Sequence, residues 1–223
     1  MAQSRASVKS PAIATAAGRR APRRPPPLVV DARGCVRAAA QVASPNADDR
    51  PYDTAITLVV VHGISLPPGE FGGDAIERLF TNRLDPAAHP YFASIATLRV
   101  SSHFLVRRNG ALVQFVPCAR RAWHAGASSW NGVARCNDYS IGIELEGTDT
   151  DAYEDRQYRT LARLCRALMR RYPITDIAGH RDIAPTRKTD PGPAFDWRRL
   201  ERALRRPLRQ GNEGRTPICG PVG

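Results

Sequence analysis

Two histidines and an aspartate are the side chains of this sequence best suited to act together. His62 ends an all-apolar run, Leu58-Val59-Val60-Val61, where a strand leaves the core, and His180 follows Gly179 in a loop after Ile177-Ala178. Asp190 sits in Lys188-Thr189-Asp190-Pro191-Gly192-Pro193, where two prolines remove backbone freedom and Gly192 permits an unusual dihedral. A carboxylate displayed by so stiff a loop suits a metal ligand. Two neutral imidazoles and one carboxylate leave Zn2+ with a net charge near +1 and a fourth position open to water, the arrangement of catalytic zinc. Such an ion lowers the pKa of water to about 7 and so makes a nucleophile at neutral pH. The first expectation is a metal hydrolase with one Zn2+ per chain.

Hydrolysis also needs a group that takes the second proton of water and passes one to the leaving group, and a carboxylate with a tunable pKa serves both ends. Ser140-Ile141-Gly142-Ile143-Glu144-Leu145 alternates, placing Ile141, Ile143 and Leu145 on one face and Gly142 and Glu144 on the other. Glu144 is the candidate, with small Gly142 beside it leaving room for a substrate, although spacing alone equally allows a surface glutamate. Lys188 precedes Asp190 by two residues and in extended chain projects to the same side, where it could face an oxyanion. Taken by itself it reads as a solvated lysine.

The elements that must position these groups alternate between strand and helix. Residues 56–61 form a β-branched run of the kind found in the middle of a sheet, ending at His62. Gly72-Gly73 opens a helix through about Thr81 with Ile76, Leu79 and Phe80 on one face. Two apolar segments, 104–106 and 112–116, flank Arg108-Asn109-Gly110-Ala111, where Asn-Gly supplies the positive φ angles of a hairpin turn. The longest helix spans about 155–172, with Tyr158, Leu161, Cys165, Leu168, Met169 and Tyr172 recurring at three- and four-residue spacings before Pro173 stops it. A last helix spans about 196–205. The sum is a mixed β-sheet flanked by helices, an α/β (α+β) domain over residues 29–206.

The chain has 223 residues, 42% of them hydrophobic, enough to bury one sizeable core. Its net charge of +12 is unevenly distributed, since six basic residues (Arg5, Lys9, Arg19, Arg20, Arg23 and Arg24) precede the first acidic one, Asp31. Residues 1–28 therefore read as a disordered, basic Pro/Arg/Ala-rich extension and 207–223 as a flexible tail. The five cysteines, odd in number and without a C-x-x-C pair, point to reduced thiols rather than a disulfide framework. No signal-peptide h-region and no stretch approaching ~18 apolar residues is present. The expectation is a soluble, cytoplasmic monomer with neither membrane nor nucleic acid as partner.

Taken with their surroundings, these residues resemble the AmpD family of zinc-dependent N-acetylmuramyl-L-alanine amidases. The resemblance spans roughly residues 29–204 and is carried by the blocks beginning at His62-Gly63-Ile64-Ser65, Asp85-Pro86, Arg99-Val100-Ser101-Ser102-His103, Arg121-Ala122-Trp123-His124, Cys136-Asn137-Asp138-Tyr139 and Arg187-Lys188-Thr189-Asp190. It implies the type-2 amidase, peptidoglycan-recognition-like fold. The implied reaction is hydrolysis of the amide joining 1,6-anhydro-N-acetylmuramic acid to L-alanine in muropeptides recycled in the cytoplasm. In organisms with the relevant regulator, that reaction lowers the muropeptide pool that induces β-lactamase. By position, His62, His180 and Asp190 match the family's zinc ligands, Glu144 its acid/base and Lys188 its oxyanion-stabilising lysine. Arg99, Arg135, Tyr91, Trp123 and His124 match positions along the substrate groove, core packing explaining Trp123 equally well. His103 falls behind the ligands, and His89 is structural. Two departures stand out: Ser102 replaces the tyrosine of related phage and recognition-protein amidases, which favours the glutamate-dependent branch, and Gly63 replaces the usual asparagine after the first ligand. The alternatives are an exported amidase acting on intact murein and a non-catalytic peptidoglycan-binding module.

Overall fold

The computed structural model describes residues 26–205, so the expectations for most of the basic extension and for the tail lie outside the described residues. Among the described residues ten strands are formed: β1 (Ala40–Gln41), β2 (Ala47–Asp49), β3 (Leu58–Ile64), β4 (Phe104–Val106), β5 (Leu112–Gln114), β6 (Arg120–Ala122), β7 (Ser129–Trp130), β8 (Val133–Ala134), β9 (Ser140–Glu146) and β10 (Asp176–Gly179). The helices are α1 (Ala75–Phe80), α2 (Pro90–Ile95), α3 (Asp155–Arg171), α4 (His180–Ile183) and α5 (Trp197–Leu204). Six strands make one sheet in the order β1-β5-β4-β9-β3-β10, in which only β4 and β5 run antiparallel. The mixed sheet flanked by helices is thus as the sequence implied.

Strands β3 and β9 lie in the middle of the sheet, and alternation divides their side chains between its two faces. Val59, Val61, Ile141, Ile143 and Leu145 enter a core that α3 and α5 cover with Leu161, Leu164, Leu168, Leu200 and Leu204. Burial of each such leucine contributes about 1.5–3 kcal/mol. Leu58 and Val60 face the other way, and so, two residues further along β3, does His62. Helix α3 starts at a capping box in which the Gln157 side chain accepts from the Glu154 backbone, and it ends with Arg170 and Arg171 in its last turn. The helix packs on the face of the sheet opposite to the one that Leu58 and Val60 share with His62.

Three local expectations are corrected. The strand does not stop at His62: β3 continues to Ile64, its pairing with β9 carrying on through His62↔Glu144 and Ile64↔Glu146. His180 is not in a loop either, because the chain passes from β10, parallel to β3, straight into α4. The β4–β5 hairpin forms, but only Gly110 takes a positive φ, of 83°. Asn109 acts through its side chain, accepting from the Ala111 backbone at 2.9 Å, an Asx-type local bond that needs no left-handed residue.

Candidate active site

The three expected ligands arrive from three elements at the same end of the sheet. His62 is carried by β3, His180 by the first residue of α4, and Asp190 by the loop between α4 and α5. In that loop Gly192 adopts φ 76°, as its sequence suggested. His62 Nδ1 lies 3.0 Å from His180 Nδ1, and Asp190 Oδ2 is 3.2 Å from each of them. Three ligand atoms held by a tetrahedral ion at ~2.0–2.1 Å would stand about 3.3 Å apart. The set is therefore already spaced for one small cation. Asp190 feels opposing influences: burial would raise its pKa, but its bonds to His180 and His62 outweigh burial and hold the carboxyl well below the usual range.

The partner atoms assign the tautomers. His180 Nε2 faces the Ala125 carbonyl at 3.3 Å, to which it can only donate, leaving the Nδ1 lone pair for an ion. The same carbonyl accepts from Arg187 at 2.6 Å. His62 Nε2 lies 3.0 Å from His124 Nδ1, and His124 Nε2 lies 3.2 Å from Ser140 Oγ. Burial lowers the His62 pKa to about 4 and that of His124 well below its ordinary value. Both are thus neutral imidazoles at pH 7, as metal binding and this bonding pattern require.

Glu144 is opposite His62 on β9, buried to 7% exposure. Desolvation raises its pKa well above the ordinary value, Asp190 adds to the rise, and Lys188 opposes it. A carboxyl tuned upward beside a site able to bind a cation is what acid/base work asks for. Glu144, Lys188 and the three ligands all line one cleft of about 310 Å³. Its wall includes Trp123 and His124, and Tyr91 stands 42% exposed at its edge. Trp123 is tethered as well as displayed, since its indole donates to Asp48 at 3.1 Å. Arg99 and Arg135 are not among the lining residues. Arg99 is exposed and donates to the Thr97 carbonyl, and Arg135 turns to Asp138, with its side chain 71% exposed.

The space next to Glu144 is not what the sequence suggested. A Cβ at Gly142 would lie 2.5 Å from Cγ of His124, so the glycine accommodates this ring and the expected room for substrate is already filled. At Gly63 a Cβ would meet the Tyr153 hydroxyl at 2.5 Å, and that hydroxyl donates to the Pro191 carbonyl at 3.0 Å. Tyr153 therefore braces the residue after Asp190 from beneath the first ligand.

Residues 52–193 match the sequence profile of the N-acetylmuramoyl-L-alanine amidases. The chain belongs to this family. The amidase is 61% identical over 170 residues to the 1,6-anhydro-N-acetylmuramyl-L-alanine amidase AmpD of Escherichia coli (strain K12), covering 75% of this chain and 93% of that one. It is 48% identical over 170 residues to AmpD of Haemophilus influenzae, covering 75% of this chain and 92% of the relative. A crystal structure of a selenomethionine derivative of AmpD superposes with a TM-score of 0.78 at 58% identity, over 79% of this chain and 99% of that one. The type-2 amidase fold expected from the motifs is the fold observed.

Three residues that support the amidase site were not singled out from the sequence. Arg50, half-buried, donates to the carbonyls of Cys118, Asn137, Asp138 and Ser140 and so ties the start of β9 to the preceding turn. Desolvation lowers its pKa to about 10, which leaves it charged. Asn137 Oδ1 accepts from the backbone of His124 and Ala125, fixing the turn that carries His124. Glu146 accepts from Gly72 at 2.6 Å and from Arg107 at 2.9 Å, anchoring the loop before α1. Each acts through long-range bonds to backbone, for which local sequence offers no signal.

Proposed function

We propose that this amidase binds one zinc ion through His62 Nδ1, His180 Nδ1 and Asp190 Oδ2, and hydrolyses the amide joining the lactyl group of 1,6-anhydro-N-acetylmuramic acid to L-alanine. The observation that carries the reading is the convergence of two neutral imidazoles and a carboxylate with Glu144 and Lys188 in a single cleft. The donor set fits zinc, which takes nitrogen and carboxylate ligands and in catalytic sites is held by three protein groups. When bound, the ion supplies Lewis acidity, lowering the pKa of water and polarising the scissile carbonyl.

The chain's own groups do the rest. Glu144 accepts a proton from the attacking water at its carboxylate and delivers it to the departing nitrogen, so that the C–N bond breaks as an amine rather than an amide anion leaves. Its upward-shifted pKa favours the delivery step. Lys188 places an ammonium toward the oxygen on which negative charge develops, a contribution of several kcal/mol in a site shielded from water. Trp123 and Tyr91 offer apolar and aromatic surface for the sugar and peptide, and His124 lines the floor. Arg99 and Arg135, on flexible side chains outside the cleft wall, would have to reorient to pair with peptide carboxylates.

The same reading makes the protein a monomer acting on muropeptides in cytoplasmic cell-wall recycling. In support, Cys35, Cys118, Cys136 and Cys165 are free thiols, and no helix among the described residues is long and apolar enough to cross a membrane. The test is incubation of the purified protein with anhydro-muropeptide and, separately, with polymeric sacculi. Release of free peptide from the muropeptide, with little from sacculi, is expected. Preferential cleavage of sacculi would support the exported-amidase reading instead, and binding of either without cleavage would reduce the protein to a binding module.

A further inference from the structure

We propose that His124 is a positioning residue for His62, and that Gly142 serves the site by seating the His124 ring. The inference rests on the reading that His62 Nδ1 is a metal ligand. An imidazole that presents its Nδ1 lone pair to an ion carries its proton on Nε2, and a buried N–H without a partner is costly. His62 is 2% exposed, and the atom in position to accept that proton is His124 Nδ1 at 3.0 Å. The two rings meet edge to face, with centroids 5.0 Å apart and planes 86° apart. Rotation of the His62 ring about its long axis, which would exchange Nδ1 and Cδ2, breaks this bond.

His124 is itself fixed from several sides. Its Nε2 finds Ser140 Oγ, whose hydroxyl can adapt by accepting, and its backbone N–H is held by Asn137. Its ring lies where a side chain at residue 142 would be, 2.5–2.8 Å from the position of that missing Cβ. Behind it His103, whose Nδ1 accepts from Gly142 N at 3.0 Å, closes the remaining space with centroids 5.7 Å away. With 9% of its surface exposed and both ring nitrogens bonded to protein, His124 has no hydrogen-bonding atom left for a substrate. Its place in the cleft wall is therefore better accounted for by what it does to His62 than by contact with a ligand.

Asparagine and leucine at position 124 separate this role from simple packing. Asn Oδ1 can stand where His Nδ1 accepts, whereas leucine fills space without accepting. Zinc affinity of the wild type, His124→Asn, His124→Leu and Gly142→Ala is measured by competition with a chromophoric chelator, alongside kcat, KM and the melting temperature of the zinc-free proteins. The expected result is a 10–100-fold weaker zinc affinity for His124→Leu and Gly142→Ala, with His124→Asn within about fivefold of wild type. Wild-type affinity in His124→Leu, or equal losses in the leucine and asparagine variants, overturns the proposal. If His124→Leu does not fold, the comparison of His124→Asn with Gly142→Ala decides it by the same criterion. A wild-type protein that takes up no zinc sinks the metal reading itself, and that outcome is read from the wild type alone.

Discussion

Glu144 illustrates how a side chain's surroundings define its chemistry. The carboxyl stands on a fully buried strand, near Asp190 and within the field of Lys188, so its charge is opposed by desolvation and by a like neighbour. Replacement by glutamine keeps the shape and removes the proton traffic. Glu144→Gln is expected to bind zinc as wild type does and to lose more than about a hundredfold in kcat, measured by peptide release under zinc saturation. Near-normal turnover would remove Glu144 from the role. Lys188→Met is expected to lower kcat by ~10²–10³ with a smaller change in KM, since an oxyanion partner acts mainly in the transition state. Neither side chain stood out by spacing alone; the strand alternation that turns Glu144 to the face of Gly142, and the place of Lys188 two residues before Asp190, made them candidates only once His62, His180 and Asp190 were taken as a set. The meaning of Gly142 was not legible, because an absent side chain does not say which neighbour fills its place; here the neighbour, His124, is eighteen residues earlier in the chain.

The sheet and α3 were readable for a different reason: each carries a long periodic pattern that needs no distant partner to be recognised. Helix α3 buries Tyr158, Leu161, Cys165 and Leu168 on the stripe its spacing predicts. Leu161→Ala, at a position fully enclosed by the core beneath β3 and β9, is expected to cost about 2–5 kcal/mol in a urea titration while leaving the zinc affinity of the folded protein unchanged. A loss of zinc affinity in the folded variant would mean that α3 positions the site more directly than its place on the opposite face implies. By contrast β1, β2, β7 and β8 are two or three residues long and exist only because of their pairing partners. The end of β3 likewise depends on pairing rather than on local pattern. The apolar run stops at Val61, but the strand is held to Ile64 by β9, and it is this extension that brings His62 opposite Glu144.

Taken together, the buried imidazoles make the stability of the metal-free protein sensitive to acid. Burial lowers the pKa of His62 to about 4, of His103 to about 3, and of His124 well below its usual value, against ~6.5 in an unfolded chain. Below about pH 6.5 the unfolded chain binds protons that the fold refuses, so stability is fully present above that pH and is lost as pH falls toward the folded values. The chelator-treated protein is expected to melt more than about 5 °C lower at pH 5 than at pH 7.5, measured by circular dichroism. His103→Gln, which removes one of these groups, is expected to show a shallower dependence. Bound zinc should steepen the loss on the acid side, because ligands that take up protons release the ion.

The account as a whole depends on one cation held by His62, His180 and Asp190 and required for the cleft to work. The most direct measurement titrates zinc into chelator-treated protein, following bound metal by elemental analysis and anhydro-muropeptide cleavage in the same samples. Activity is expected to be absent at the start, to rise in proportion to bound zinc, and to stop rising at one equivalent per chain, with Asp190→Ala neither filling nor gaining activity over that range. Full cleavage by the metal-free protein, or uptake of zinc by Asp190→Ala equal to wild type, would contradict it.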